Sequence, residues 1–207
     1  MSRGVRASRR ARFCALALAF ATASLPLGPA FGQEQEDRFL TLEQAPGAVF
    51  PEAQAFERRD VPVSPALRED VSRRLGDARV SIWEDVWITF VARSGESILG
   101  YAVVLEEIGK HRPITSIVGV GPDGRVHDVA VMVYREAYGG EVKQRRFLDQ
   151  YPGIGSDVAL ARRIRNVAGA TLSVEALNRT VKKGLAVTDA LYLHPGRSPE
   201  PTATATP

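Results

Sequence analysis

The spacing of apolar residues changes rhythm along this chain, and the change divides it into strands and helices. Val86-Trp87-Ile88-Thr89-Phe90-Val91 is rich in β-branched and aromatic residues and predicts a strand. Ser94-Gly95 is a turn, and Ile98 to Leu105 predicts a second strand. Ile114 to Val120 predicts a third. Pro122-Asp123-Gly124 is a tight turn, and Val126 to Tyr134 alternates as a half-buried fourth strand should. Turns this short imply antiparallel pairing.

Helical spacing surrounds the strands. Ser64-Pro65 opens a helix over about 65–75, with Ser as cap and Pro in the first turn, and Gly76 closes it. Leu42 to Pro51 reads as a short helical or turn segment. Glu141 to Gln150 predicts a helix that turns Val142, Phe147 and Leu148 inward, stopped by Tyr151-Pro152-Gly153. Ser156-Asp157 caps Val158 to Ile164. Ser173 is read as the cap of a longer helix on which Val174, Leu177, Val181 and Leu185 recur. Of Trp83 and Trp87, which straddle Glu84-Asp85, one is expected in the core. Strands followed by helices argue an α+β fold, a small antiparallel sheet packed with helices, over a doubly wound one.

The first stretch is not read as fold. Arg3, Arg6, Arg9, Arg10 and Arg12 form a basic region without an acid, Phe13 to Leu27 is a short apolar run, and Ala30-Phe31-Gly32 supplies small residues for cleavage. Residues 1–32 are therefore read as an export signal cut after Gly32, and the protein as periplasmic. An uncleaved signal would leave it membrane-associated. Arg9-Arg10 with Phe13 suits twin-arginine export, whereas Arg12 departs from that pattern, and an ordinary Sec signal fits equally.

Setting the signal aside changes the charge. The chain carries +3 overall, but five of its 27 Lys and Arg and none of its 24 Asp and Glu lie in residues 1–32. The remaining 22 basic against 24 acidic residues give −2. A basic whole-chain balance is then no argument for nucleic-acid binding. Cys14, the single cysteine, also lies in the signal, so the exported part has no disulfide and no cysteine-ligated metal. Roughly 175 residues remain, enough for one core. They divide into a leader and helical segment over 33–85, a domain over 86–192 and a low-complexity, disordered tail over 193–207.

Three segments could carry chemistry. Gly169-Ala170-Thr171-Leu172-Ser173 precedes the long helix, and a small-residue loop at a helix N-terminus suits a phosphate. Read alone, it is more commonly a capping turn. Tyr134-Arg135-Glu136-Ala137-Tyr138-Gly139-Gly140-Glu141 is either a glycine-rich connection or a wall for a planar ligand. Gly109-Lys110-His111-Arg112-Pro113 is either a solvent-facing loop or, through His111, a proton carrier. No spacing of His and carboxylates suggests a metal, and no Gly-x-Ser-x-Gly elbow suggests a hydrolase.

Over residues 90–190 this order of features resembles the FMN-binding domain of the C subunit of sodium-translocating NADH:quinone oxidoreductase and of the G subunit of the Rnf complex. In that family a Ser/Thr-Gly-Ala-Thr motif carries FMN by a phosphoester on its last threonine. The resemblance implies FMN as cofactor and Thr171 as its attachment point, within Gly169, Ala170, Thr171, Leu172 and Ser173. It implies Glu136 as an acceptor near the flavin, Gly139 and Gly140 as backbone passing close to the ring, and Tyr138 as a stacking partner. Arg165 stands where the family has Asp and Ala168 where it has Ser or Thr; Arg165 is expected to pair with the phosphate. The implied partners are a periplasmic flavin transferase and a membrane or periplasmic redox protein, without nucleic acid. The implied role is an electron-relaying flavoprotein, not a substrate-converting enzyme. The alternative is a non-redox binding or sensory module that keeps the fold with a degenerate motif.

Overall fold

A computed structural model describes residues 36–196, apart from positions 77, 79 and 81. The export signal, its cleavage point, Cys14 and the end of the tail lie outside the described residues. The fold is one six-stranded antiparallel sheet: β1 (Asp37–Arg38), β2 (Ala55–Pro62), β3 (Val86–Ser94), β4 (Ser97–Ile108), β5 (Pro113–Val120) and β6 (Val126–Tyr134). Their order is β1-β6-β5-β4-β3-β2. The four central strands form where the sequence predicts them. The α+β reading holds.

Strand β2 goes beyond the expectation of a leader. Its eight residues, Ala-Phe-Glu-Arg-Arg-Asp-Val-Pro, pair with β3 from Ala55↔Arg93 to Pro62↔Val86. Only β3 flanks it, so little of it is buried and no apolar alternation is needed. Arg58 pairs with Asp60 and Arg59 with Glu57, each at 2.8 Å. A charged edge of this kind resists pairing with another strand. Residues 37–38 pair with β6, so this stretch too is drawn into the sheet.

Helices cover both faces. On one, α1 (Ala45–Val49) and Phe50 pack over Phe90, Ala102, Ile117 and Met132. On the other lies the larger core, where α5 (Thr171–Thr188) sets Val174, Leu177, Val181 and Leu185 against Val103, Leu105, Val118 and Val120. Gly184 lets α5 approach, since a Cβ there would stand 2.9 Å from Val118 Cβ. Helix α2 (Pro65–Leu75) forms where expected, with Ser64 Oγ accepting from the Leu67 N–H. Trp87 is buried and Trp83 half exposed.

The remaining helices are shorter than the sequence suggests. The stretch 141–150 divides into a 3-10 turn (Gly140–Lys143) and α3 (Arg145–Leu148), because Gln144 is extended at φ −73°, ψ 140°. The stretch 158–164 shrinks to α4 (Leu160–Arg163), because Ala159 is extended at its start and Ile164 at its end. Phe147, Leu148, Tyr151, Leu160 and Ile164 anchor both in the larger core.

One irregularity in β6 governs the site. Thr115 pairs with Val133 and Ser116 with Val131, which leaves Met132 as an extra residue. Val129 and Val131 face the α5 side, while Met132 and Val133 both join the α1 side. Tyr134 is thereby turned toward α5. Bulges re-aim the side chains that follow them.

Candidate functional site: a cleft at the start of helix α5

Tyr134 connects the sheet to the site. Its hydroxyl donates to the Tyr138 carbonyl at 2.5 Å and lies 2.9 Å from Ser173 Oγ. Burial pushes its phenol up from the ordinary value, so it is held as a neutral donor. The turn after β6 and the first turn of α5 are thus tied by one side chain. Gly139 packs in the angle between them at φ +84°, in the left-handed region. A Cβ there would stand 2.8 Å from Ser173 Oγ, 3.0 Å from Tyr134 Oη and 3.3 Å from Ala170 Cα. Glycine is required at this position for both shape and space.

Helix α5 begins at Thr171, three residues earlier than the sequence suggests. Ser173 is therefore not its cap; it is buried inside the first turn and satisfied by Tyr134. The cap position belongs to Ala170, and no side chain caps the helix. An 18-residue helix with an uncapped first turn leaves N–H groups and the positive end of its dipole to an external anion. Thr171 is exposed at this end, with Asn166 Nδ2 3.4 Å from its Oγ1.

On the opposite side the loop between β4 and β5 is held by Glu136. Its Oε1 accepts from the backbone N–H of His111 at 2.6 Å and of Arg112 at 3.0 Å. Partial burial works against the carboxylate's charge, but the backbone donors of Arg112, His111 and Lys110 outweigh it and hold the pKa below the usual value. Gly109 is needed for this contact, since a Cβ there would meet Glu136 Oε1 at 2.8 Å.

These elements enclose a cleft of about 470 Å³ lined by Lys110, His111, Glu136, Ala137, Tyr138 and residues 169–173. Small-molecule sites are usually about 300–1,000 Å³. The structure thus brings Gly169, Ala170, Thr171, Leu172, Ser173, Glu136 and Tyr138 together. Gly139 stands behind the cleft wall, and Gly140 opens the 3-10 turn; neither lines it. Arg165 is elsewhere: it lines a separate polar cleft with Arg146 and Arg163, and its N–H donates to Gln150. The expected partnership of Arg165 with a phosphate in the first cleft does not follow from this position. Lys110 and Ala137 were not foreseen; each is adjacent in sequence to a residue that was.

Residues 109–186 match the family model described as FMN-binding domain. This segment is an FMN-binding domain. It runs from Gly109, at the start of the β4–β5 loop, into α5, and contains every residue that lines the cleft. FMN is accordingly the cofactor of the domain. No curated protein matches the chain.

The residues present suit FMN. The uncapped α5 terminus offers donors to the phosphate, and Lys110 offers positive charge on the facing loop. Leu172 and Tyr138 are 44% and 85% exposed, large side chains whose apolar surface the chain itself leaves uncovered. A planar ring system would cover that surface. Among the described residues no group of three or more His, Cys, Asp or Glu could hold a metal ion, and no helix is long and apolar enough to cross a membrane.

Proposed function

We propose that this protein is an exported flavoprotein that relays electrons through an FMN joined by a phosphoester to Thr171 Oγ1. The observation that carries the reading is the coincidence of an exposed threonine hydroxyl with an uncapped helix start in one cleft of the FMN-binding domain. A phosphate received there meets backbone N–H donors and the helix dipole. Reversible electron transfer is the chemistry FMN supplies when bound. The chain's own groups bind and orient: Glu136 fixes the β4–β5 loop, Tyr134 and Gly139 fix the start of α5, and Lys110 offsets phosphate charge. The signal-like residues 1–32 support a periplasmic location, membrane-associated where the signal is retained. A tether is useful there, because lost FMN is not readily replaced. The partners in this reading are a periplasmic flavin transferase and a membrane or periplasmic redox protein.

The test is intact mass and visible absorption of protein exported by a host that has the transferase. The expected result is one added FMN less water, retained on denaturation and absent from Thr171→Ala. Colour released on denaturation would replace the tether with reversible binding, attributable to Arg165 and Ala168, where the family pattern has Asp and Ser or Thr. A folded, colourless protein without added mass would refute the relay and favour the non-redox module.

A further inference from the structure

Many arginines of this protein are held in ion pairs. Arg58, Arg59, Arg73, Arg74, Arg135, Arg145 and Arg179 each lie within 4 Å of a carboxylate oxygen. Arg146, Arg163 and Arg165 form no ion pair among the described residues, and all three line one polar cleft of about 350 Å³. The carboxylate in that cleft, Asp149, is engaged from outside it by Arg145 at 2.7 Å. Three guanidinium groups therefore share a cleft whose one acid is ion-paired from outside, by an arginine that also holds Asp128.

The scaffold under them is firm. Arg146 is on α3, Arg163 ends α4 and Arg165 follows two residues later. Phe147, Tyr151, Leu160 and Ile164, interleaved with them in sequence, are buried. Gln150 joins the two segments, accepting from the Arg165 N–H at 2.8 Å and donating to the Phe147 carbonyl at 3.1 Å. The patch also borders the FMN cleft, since Asn166, next to Arg165, contacts Thr171 through its side chain.

We infer that Arg146, Arg163 and Arg165 form a docking site for the carboxylate side chains of an acidic partner protein, beside the flavin. The assignment of the partner as a redox protein rests on the proposed function; the carboxylate binding does not. Planar guanidinium forks match carboxylates, and unpaired ones at a rim speed and orient encounter. The balance of −2 outside the signal disfavours a nucleic acid, and no aromatic side chain lines this cleft to stack on a base. A local basic patch on residues 33–207, whose net charge is −2, orients a charged partner instead of merely attracting it.

The probe is a fluorescein-labelled peptide of ten glutamates, followed by anisotropy at low and at physiological salt, with the full chain both flavin-loaded and flavin-free. Arg146→Gln/Arg163→Gln/Arg165→Gln together are expected to weaken binding about tenfold, the combined effect of three exposed ion pairs. The triple lysine variant should keep most of it, and Arg58→Gln/Arg59→Gln, at paired positions, should leave it unchanged. Equal binding by the wild type and the triple glutamine variant, with melting unaltered, would overturn the inference. So would tighter binding of a single-stranded oligonucleotide than of the peptide. Binding that survives in a protein found to carry no flavin would leave the docking site standing and remove only its redox purpose.

Discussion

Replacing Gly139 by alanine tests the central geometric claim, that one glycine lets the turn after β6 close on the start of α5. Two costs combine. The backbone sits at φ +84°, where an L side chain costs roughly 1–2 kcal/mol. The new Cβ would also stand 2.8 Å from Ser173 Oγ and 3.0 Å from Tyr134 Oη, and overpacking of this kind costs about 1–3 kcal/mol. The expected loss is about 2–5 kcal/mol, or roughly 4–20 °C in melting temperature for a domain of this size. Gly169→Ala is the internal control. Its φ of +80° is nearly the same, but nothing lies within 4 Å of its Cβ, so only the backbone cost of about 1–2 kcal/mol applies. Thermal and urea melts of both variants, without flavin, read the difference. Titration with FMN, followed by quenching of its fluorescence, should show weaker binding in Gly139→Ala as the α5 terminus is pushed from the turn. The terminus contributes about 0.3–1 kcal/mol, which corresponds to a change of up to about fivefold. Adding Ser173→Ala to Gly139→Ala removes the closest atom and should recover part of the loss. Equal melting of Gly139→Ala and Gly169→Ala would refute the contact as the determinant of the cleft.

Two further perturbations probe the supports of the cleft. Lys183 is fully buried in α5 and pairs at 2.8 Å with both Glu84 and Glu107, so Lys183→Met should cost about 3–5 kcal/mol in urea melts, with partial recovery on adding Glu107→Gln. Glu136 has a depressed pKa, so the stability it contributes is complete above the ordinary carboxylate value of 4.5 and is lost as pH falls through the depressed value. The protection factors of the His111 and Arg112 amides, which are their exchange rates corrected for the intrinsic rate at each pH, should therefore fall on acidification in the wild type. In Glu136→Gln that pH-dependent component should be missing; its persistence would count against Glu136 as the clamp.

Much of the fold is legible in local sequence because local physics writes it there. The central strands are apolar, rich in β-branched residues and bounded by turn residues, and the cap at Ser64 answers to neighbours three residues away. Strand β2 is illegible for the opposite reason: an edge strand stabilised by its ladder to β3 can be charged throughout its middle. The single break at Gln144 depends on Phe147 and Val142 both reaching the core, which no helical spacing announces.

By itself the sequence determined an α+β chain with a small-residue loop before its last long helix, and it named Thr171 and Glu136. Periodicity and composition suffice for that, because strands, turns and helix starts are fixed by residues close in sequence. The tertiary structure alone decided what those residues do. An extra residue at Met132 turns Tyr134 toward α5, and Tyr134 then takes the hydroxyl of Ser173, which local rules assign as a cap. The helix consequently starts uncapped at Thr171, and its dipole opens into a cleft closed by a loop that Glu136 holds from 24 residues away. Arg165, six residues from Thr171 in sequence, turns to another cleft because Gln150 holds its backbone. Register, bulges and long-range hydrogen bonds carry no local signature, since each is a choice among partners that only the folded sheet brings within reach.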